Sequence, residues 1–369
     1  MTLAKPQRKR TMPAIHQFSA GFAKGDAISN EVRVLRELFR SWGYDSDVFT
    51  EQRRISPELR KDARDIAEAA ATFSPDDIAL LHLSIGSPVN AAFAALTCKK
   101  AILYHNVTPP DYFRGVQEEI AHHLRAGLEQ VRALAGVADV NLAVSRFNAQ
   151  ELALLGYRNV QVMPMKLDRQ QWEGPLDRRI LQEFGDGRIN ILFVGRGAPN
   201  KRIEDLLFSL YYTQRYVDPD ARLIHVGSYG GLERYQALLR TKACELKVRN
   251  LSLVGSVPAE ALRSYYAVAT VFLCLSEHEG FCIPLIEAMA REVPVMAFAA
   301  AAIPETLDGT GILLREKRFD LIAELIGRLA RDNALRKAIT DAQTQRLQRY
   351  LTQDFASMWR THLQPLLPQ

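Results

Sequence analysis

Short apolar runs recur along the chain, each leading into small or polar residues and then into a stretch with apolar positions at helical spacing. In the first half they lie at 14–18, 77–83, 100–105, 138–145 and 160–163. In the second they lie at 189–194, 223–226, 251–254, 271–275, 295–298 and 311–314. The runs that flank 276–290 are apolar rather than alternating, which marks strands buried on both faces of a parallel sheet. Val32, Leu35, Leu38 and Phe39 predict a helix starting near residue 29. Further helices are predicted over 113–133, 203–210 and 321–350. A polar stretch rich in Arg, Asp and Gly at 169–188 separates the halves and reads as a linker.

This pattern predicts an α/β protein. Its 369 residues suffice for two domains. The expected division is 1–170, a linker at 171–188, a second domain at 189–350, and a segment at 351–369 apolar enough to pack back on the first domain.

Composition narrows the class only a little. The chain is 47% hydrophobic and 24% charged, as globular proteins are, and its net charge of +5 permits an anionic partner without naming one. Nucleic acid is not expected. Cys98, Cys244, Cys274 and Cys282 form no C-x-x-C pair, so reduced thiols in a cytoplasmic protein are expected. No run of 18 apolar residues occurs, and residues 1–10 lack a signal-peptide core. Lys5, Arg8, Lys9 and Arg10 make that start basic. It reads either as a frayed tail or as a peripheral contact with anionic lipid at the inner membrane face.

The candidate chemistry centres on 276–290. Ser276 to Ile283 lies at the carboxyl end of a predicted strand, where ligands of parallel sheets bind. Pro284 suits the first position of the following helix. Gly280, Phe281, Cys282 and Ile283 then form a loop whose N–H groups can meet an anion. Glu279 and Glu287 flank the same place and would repel a phosphate, so hydroxyls are their better partners. Anion-binding N–H groups beside hydroxyl-binding carboxylates suit a sugar joined to a diphosphate. The alternative is a solvated Glu279 and a Glu287 placed in the first helical turn by the dipole.

Glu279 and Glu287, with Gly280, Phe281 and Pro284 between them, resemble the E-x7-E motif of family 4 retaining glycosyltransferases. That family usually has Gly where Cys282 stands. The resemblance implies the GT-B fold, two Rossmann-like domains whose parallel sheets face a central cleft. It extends to Arg196 and Lys201, five residues apart in a Gly-containing loop, which in the family bind the donor diphosphate. Ser256 and Val257 fall where the family's loop meets the nucleotide base through its backbone. Ala300 to Glu305 resembles the family's Gly-Gly-x-x-Glu turn, with alanines for glycines. In the first half, the loop carrying Gly21, Gly25 and Asp26 stands where the family's glycine pair faces the cleft. Asp26 reads either as an acceptor-hydroxyl contact or as a helix cap. His105-Asn106 resembles a His-Asp pair facing the donor sugar, and the other reading of His105 is a hydrogen-bonded loop residue. Of the family's Asn-Gly-Val-Asp turn only Asp168 is kept.

By this resemblance the protein is expected to move a hexose, with mannose from GDP-mannose as the named candidate, to a glycan or lipid-linked acceptor. Glu279, Arg196, Lys201 and His105 are the expected catalytic residues. Glu287, Gly280, Phe281, Cys282, Ile283, Ser256, Val257 and Gly25 are the expected donor-binding residues, with Glu287 on the ribose. No cofactor is expected beyond the nucleotide-diphosphate sugar as substrate, and no metal. Asp45 with Asp47, and Asp218 with Asp220, form Asp-x-Asp triplets of the kind that hold a cation in the other large glycosyltransferase fold, but octahedral Mg²⁺ needs more than two carboxylates. A non-catalytic nucleotide-sugar-binding subunit and a GT-B epimerase or phosphorylase remain as alternatives.

Overall fold

A computed structural model describes residues 13–166 and 172–368. The basic residues before position 13, and Asp168, lie outside the described residues. Seven strands form the first sheet: β1 (Ile15–Ser19), β2 (Val48–Thr50), β3 (Arg64–Asp65), β4 (Ile78–Leu83), β5 (Lys99–Tyr104), β6 (Val140–Ala143) and β7 (Gln161–Val162). Their spatial order is β3-β2-β1-β4-β5-β6-β7, all parallel. The second sheet holds β8 (Asn190–Val194), β9 (Arg222–Val226), β10 (Leu251–Gly255), β11 (Val271–Cys274), β12 (Val295–Phe298) and β13 (Ile312–Leu314). Its order is β10-β9-β8-β11-β12-β13, again all parallel.

The central strands are buried along their whole length because helices cover both faces. Every residue of β1, β4 and β11 is buried. In each sheet the strand order reverses once, between β1 and β4 and between β8 and β11. Such reversals open a crevice at the carboxyl ends of the strands. The loops after β1, β5, β8 and β11, which carry the expected site residues, all leave at that end.

The helical expectations need three corrections. The apolar pattern over 321–350 is two helices, Phe319–Arg331 and Asn333–Leu351. Asp332 interrupts them with extended backbone, and its side chain accepts from the Leu335 N–H to start the second. The linker holds the helix Arg178–Phe184, started by Asp177 and buried through Ile180 and Phe184. Pro284 is the second residue of its helix, Ile283–Ala290, rather than the first.

The last helix, Phe355–Leu363, returns to the first domain. Trp359, fully buried, meets Phe39 edge-on at 6.0 Å, and the Arg360 guanidinium lies 5.0 Å from the Trp42 ring centre. Lys99 donates to the Leu366 carbonyl at 2.7 Å. The Tyr350 hydroxyl donates to the Met165 carbonyl. The chain thus crosses between the domains twice.

Candidate active site in the cleft

The loop after β8 and the loop after β11 form one unit. The Glu277 N–H donates to the Asn200 carbonyl at 2.9 Å, and the Asn200 amide donates to the His278 carbonyl at 3.1 Å. This clamp brings the Lys201 ammonium to 2.5 Å from the Glu279 carboxylate. Both side chains are largely buried, with 19% and 9% exposure. Burial favours a neutral Lys201 amine, but Glu279 and then Cys282 outweigh it and hold Lys201 above its ordinary pKa. The pair is therefore an ion pair in low dielectric, where charge is costly unless matched.

The 279–283 turn is pinned from a third side. The Ala302 N–H donates to the Glu279 carbonyl at 3.2 Å, and the Thr306 hydroxyl donates to the Phe281 carbonyl at 2.5 Å. Cys282 takes a left-handed conformation, φ 69°, directly before the helix Ile283–Ala290. Gly280 is required by contact rather than by conformation. A Cβ there would lie 2.2 Å from the His105 carbonyl oxygen of the first domain. Only glycine lets the two halves approach this closely.

Other contacts join the same two edges. His278 Nε2 is hydrogen-bonded to Asn106 Oδ1. Asn106 has φ 92° and donates to Asn148 at 2.8 Å and to Glu151 at 3.0 Å. The Arg146 N–H donates to both Glu305 carboxylate oxygens, at 2.8 and 3.0 Å. A cavity of about 530 Å³ opens nearby, lined by Tyr112 and Val116 from one domain and Arg202, Glu204 and Tyr235 from the other.

The remaining expected residues are placed as follows. Arg196 donates to the Gly230 carbonyl at 3.1 Å. Burial lowers its pKa, and the opposing influence is the charge of Asp26 from the first domain. Asp26 itself caps the helix Ala27–Ser41, accepting from the Ser29 N–H at 2.8 Å. Gly25, exposed and at φ 80°, stands before it. Glu287 accepts from the Tyr266 hydroxyl at 2.8 Å. Burial raises the Glu287 pKa, and that hydrogen bond only partly opposes the rise. Ser256 and Val257 follow β10 at the far edge of the second sheet, Ser256 exposed. His105 is buried and joined to His82.

Cys274, Glu279 and Cys282 offer three ligand atoms within 4.8 Å of one another. The Lys201 ammonium against Glu279 would repel a cation there. Asp47 is engaged by Arg64 at 3.3 Å, and Asp218 accepts from the Asp220 N–H at 2.9 Å. Both carboxylates therefore have structural roles.

Residues 177–346 match the family model described as glycosyl transferases, group 1. A GDP-mannose-dependent α-(1-6)-phosphatidylinositol monomannoside mannosyltransferase of Mycolicibacterium smegmatis is 30% identical over 217 residues, 55% of this chain and 56% of that one. The O-antigen chain mannosyltransferase B of Escherichia coli is 26% identical over 151 residues, 40% and 39% of the two chains. The matches thus span about half or less of these relatives' length. Whole-chain likeness comes from solved structures. Sucrose-phosphate synthase of Thermosynechococcus elongatus superposes with a TM-score of 0.74 at 18% identity, covering 96% of this chain and 98% of that one. Anabaena HepE, in complex with UDP and glucose, gives 0.73 at 17%, covering 96% and 100%.

The fold is GT-B. Several site features of this GT-B chain leave no mark in the local sequence. Asn200, His278, Tyr266, Asn148 and Glu151 act through partners distant in sequence, so no local motif announces them. Glu305 and Asn106 are exceptions, since the Ala300–Glu305 turn and the His105-Asn106 pair point to them. Among the described residues no helix is long and apolar enough to cross a membrane.

Proposed function

We propose that the protein is a retaining glycosyltransferase that moves a hexose from a nucleotide-diphosphate sugar to a glycan or lipid-linked acceptor. The observation that carries this reading is the buried Lys201–Glu279 pair at the β8/β11 crevice, set against His105 of the facing domain. Lys201 and Arg196 supply positive charge where the leaving diphosphate gathers negative charge, the largest electrostatic demand of such a transition state. The N–H groups of 280–283 add dipoles aimed at the same anion. Glu279, held by Lys201, accepts hydrogen bonds from sugar hydroxyls. Glu287, oriented by Tyr266, accepts from the ribose. No side chain is assigned as a nucleophile, because one carboxylate pair does not establish the covalent route of hydrolases.

Mannose is the favoured sugar, supported by the names of the relatives just described. The test is a panel of GDP-mannose, UDP-glucose and UDP-N-acetylglucosamine, with affinity and sugar release both measured. Release from one donor, with an α-linked product from an α-linked donor, is the expected result. Tight nucleotide binding without release or transfer would instead favour a binding subunit.

A further inference from the structure

In the loop that carries Lys201, residues 195–197 are seated on His225, Gly227 and Tyr229, alternate residues on β9 and just beyond it. The Gly195 N–H donates to the Val226 carbonyl at 3.0 Å, and the Gly197 N–H donates to the Ser228 carbonyl at 2.9 Å. A Cβ on Gly227 would lie 1.8 Å from the Gly195 carbonyl oxygen, and one on Gly197 would lie 2.1 Å from the Tyr229 ring. His225 Nε2 meets that same Gly195 carbonyl at 2.9 Å. A carbonyl only accepts, so Nε2 carries the hydrogen. Nδ1 of the neutral ring is then bare, and it accepts from the Tyr229 hydroxyl at 2.7 Å. Burial keeps the ring neutral, pushing its pKa down to about 4. The ring is also stacked on Phe193 of β8, inclined by 17° with centres 5.6 Å apart.

A trans peptide carries its C=O and its N–H on opposite sides. With the Gly195 carbonyl held against His225, the Arg196 N–H faces the other way. That N–H has no acceptor among the described residues. The charge of Asp26, in the first domain, acts on the Arg196 guanidinium, which places the residue at the cleft. Nothing local fixes this peptide. Gly195 has φ 153°, and a glycine peptide turns over at little steric cost. Turned over, it would present a carbonyl oxygen where the N–H now points, and an anion there would be repelled.

We propose that His225 and Tyr229 are positioning residues that hold the 195–196 peptide in one orientation, so that the Arg196 N–H donates to the phosphate from which the sugar departs. The phosphate half rests on reading the cleft as a nucleotide-sugar site. The orientation of the peptide does not. A fixed N–H dipole needs no rearrangement when the anion arrives, and it meets the charge as that charge grows. Arg196 thus serves the anion twice, through its guanidinium and through its backbone.

The test is the amide spectrum of the full-length protein carrying isotopically labelled arginine, the Arg196 signal being the one lost in Arg196→Lys. GDP and UDP are the probes, with GMP and UMP as the forms lacking the second phosphate. Whichever diphosphate binds should move the Arg196 amide proton downfield, and its monophosphate should move it much less. His225→Leu should abolish that shift. It should weaken the diphosphate at least about tenfold and the monophosphate less than about twofold. His225→Gln, whose amide can still donate to the Gly195 carbonyl, should keep most of the affinity and of the shift. Tyr229→Phe keeps the ring on Gly197 but releases Nδ1, so it should fall between the two.

Diphosphate binding that leaves the wild-type Arg196 amide unmoved would overturn the contact, with no substitution needed. Equal losses of diphosphate and monophosphate in His225→Leu, or no recovery in His225→Gln, would overturn the positioning role. If neither GDP nor UDP binds, the phosphate contact falls together with the proposed function. The imidazole nitrogen spectrum of the ligand-free wild type then still decides the orientation, since a hydrogen on His225 Nε2 supports it and one on Nδ1 overturns it.

Discussion

The ammonium of Lys201, on the loop after β8, lies 2.5 Å from the carboxylate of Glu279, on the loop after β11. The two charges are 78 positions apart in sequence. Removing either leaves the other buried without its counter-ion.

That pairing divides the two cations of the clamp. Lys201→Ala strands Glu279 and should cost roughly 3–5 kcal/mol of stability besides weakening donor binding. Arg196, whose described hydrogen bond is to a carbonyl, should lose only donor affinity on replacement by alanine, about 1.5–3 kcal/mol. Lys201→Ala/Glu279→Gln should recover part of the stability lost by Lys201→Ala. Urea denaturation beside calorimetric titration with nucleotide measures both. Equal stability of the two single variants would mean that the ion pair does not support the fold.

The paired glutamates should differ in what they lose. Glu279→Gln keeps the shape but removes the charge proposed to meet the sugar hydroxyls, so kcat should fall while affinity for the bare nucleotide diphosphate stays. Glu287→Gln should weaken bare-nucleotide binding. Tyr266→Phe removes the hydroxyl that orients Glu287 and should repeat that loss more mildly, about 0.5–1.5 kcal/mol. The same deficit in the two glutamate variants would show that they do not contact separate parts of the donor.

How much of this was legible depended on distance along the chain. Strands buried on both faces read directly, because runs such as Val271 to Leu275 leave no polar position to face water. The Glu279/Glu287 spacing and the Arg196/Lys201 loop were local and were visible. The break at Asp332 was not, because the flanking segments share one apolar pattern and a single capping carboxylate separates them. Nor was the contact of His82 with His105, which lie on β4 and directly after β5 and meet only through the pairing of those strands. From the sequence, Gly280 reads as loop chemistry. Its closeness to the His105 carbonyl shows that packing between domains also demands it.

Activity should survive chelation. Asp47 is held by Arg64, and Asp218 caps its own turn, so neither triplet offers an uncommitted pair of carboxylates. In the proposed function the Lys201 charge would meet the anion that a divalent ion otherwise neutralises. Transfer rates before and after EDTA decide this. Loss of activity restored by Mg²⁺ or Mn²⁺ would overturn it.

Glu31 makes stability fall toward alkaline pH. It lies on the helix Ala27–Ser41, buried, with one carboxylate oxygen accepting from the Lys166 N–H at 2.9 Å and the other without a partner. Burial pushes its pKa up to about 8, against the opposing influence of the Lys166 hydrogen bond and charge. The folded protein therefore keeps this proton at pH values where the unfolded chain has released it. The stabilisation is complete below the ordinary carboxylate pKa of 4.5 and is lost as pH rises through about 8. At about 1.4 kcal/mol per pH unit, the loss by pH 9 is at most roughly 5 kcal/mol. The buried histidines act at the other end. His105 is pushed down to about 3 and His225 and His278 to about 4, so they stay neutral while the unfolded chain takes up protons below its ordinary 6.5. Their contribution is present above 6.5 and falls away toward pH 4. Glu31→Gln cannot ionise, and it keeps an oxygen for the Lys166 N–H. It should match the wild type near pH 5 and exceed it by a few-fold to several hundred-fold in folding constant at pH 9, with the acid limb unchanged. Urea midpoints at pH 5, 7 and 9 measure this. Parallel curves for the two proteins across that range would show that Glu31 is ionised in the fold.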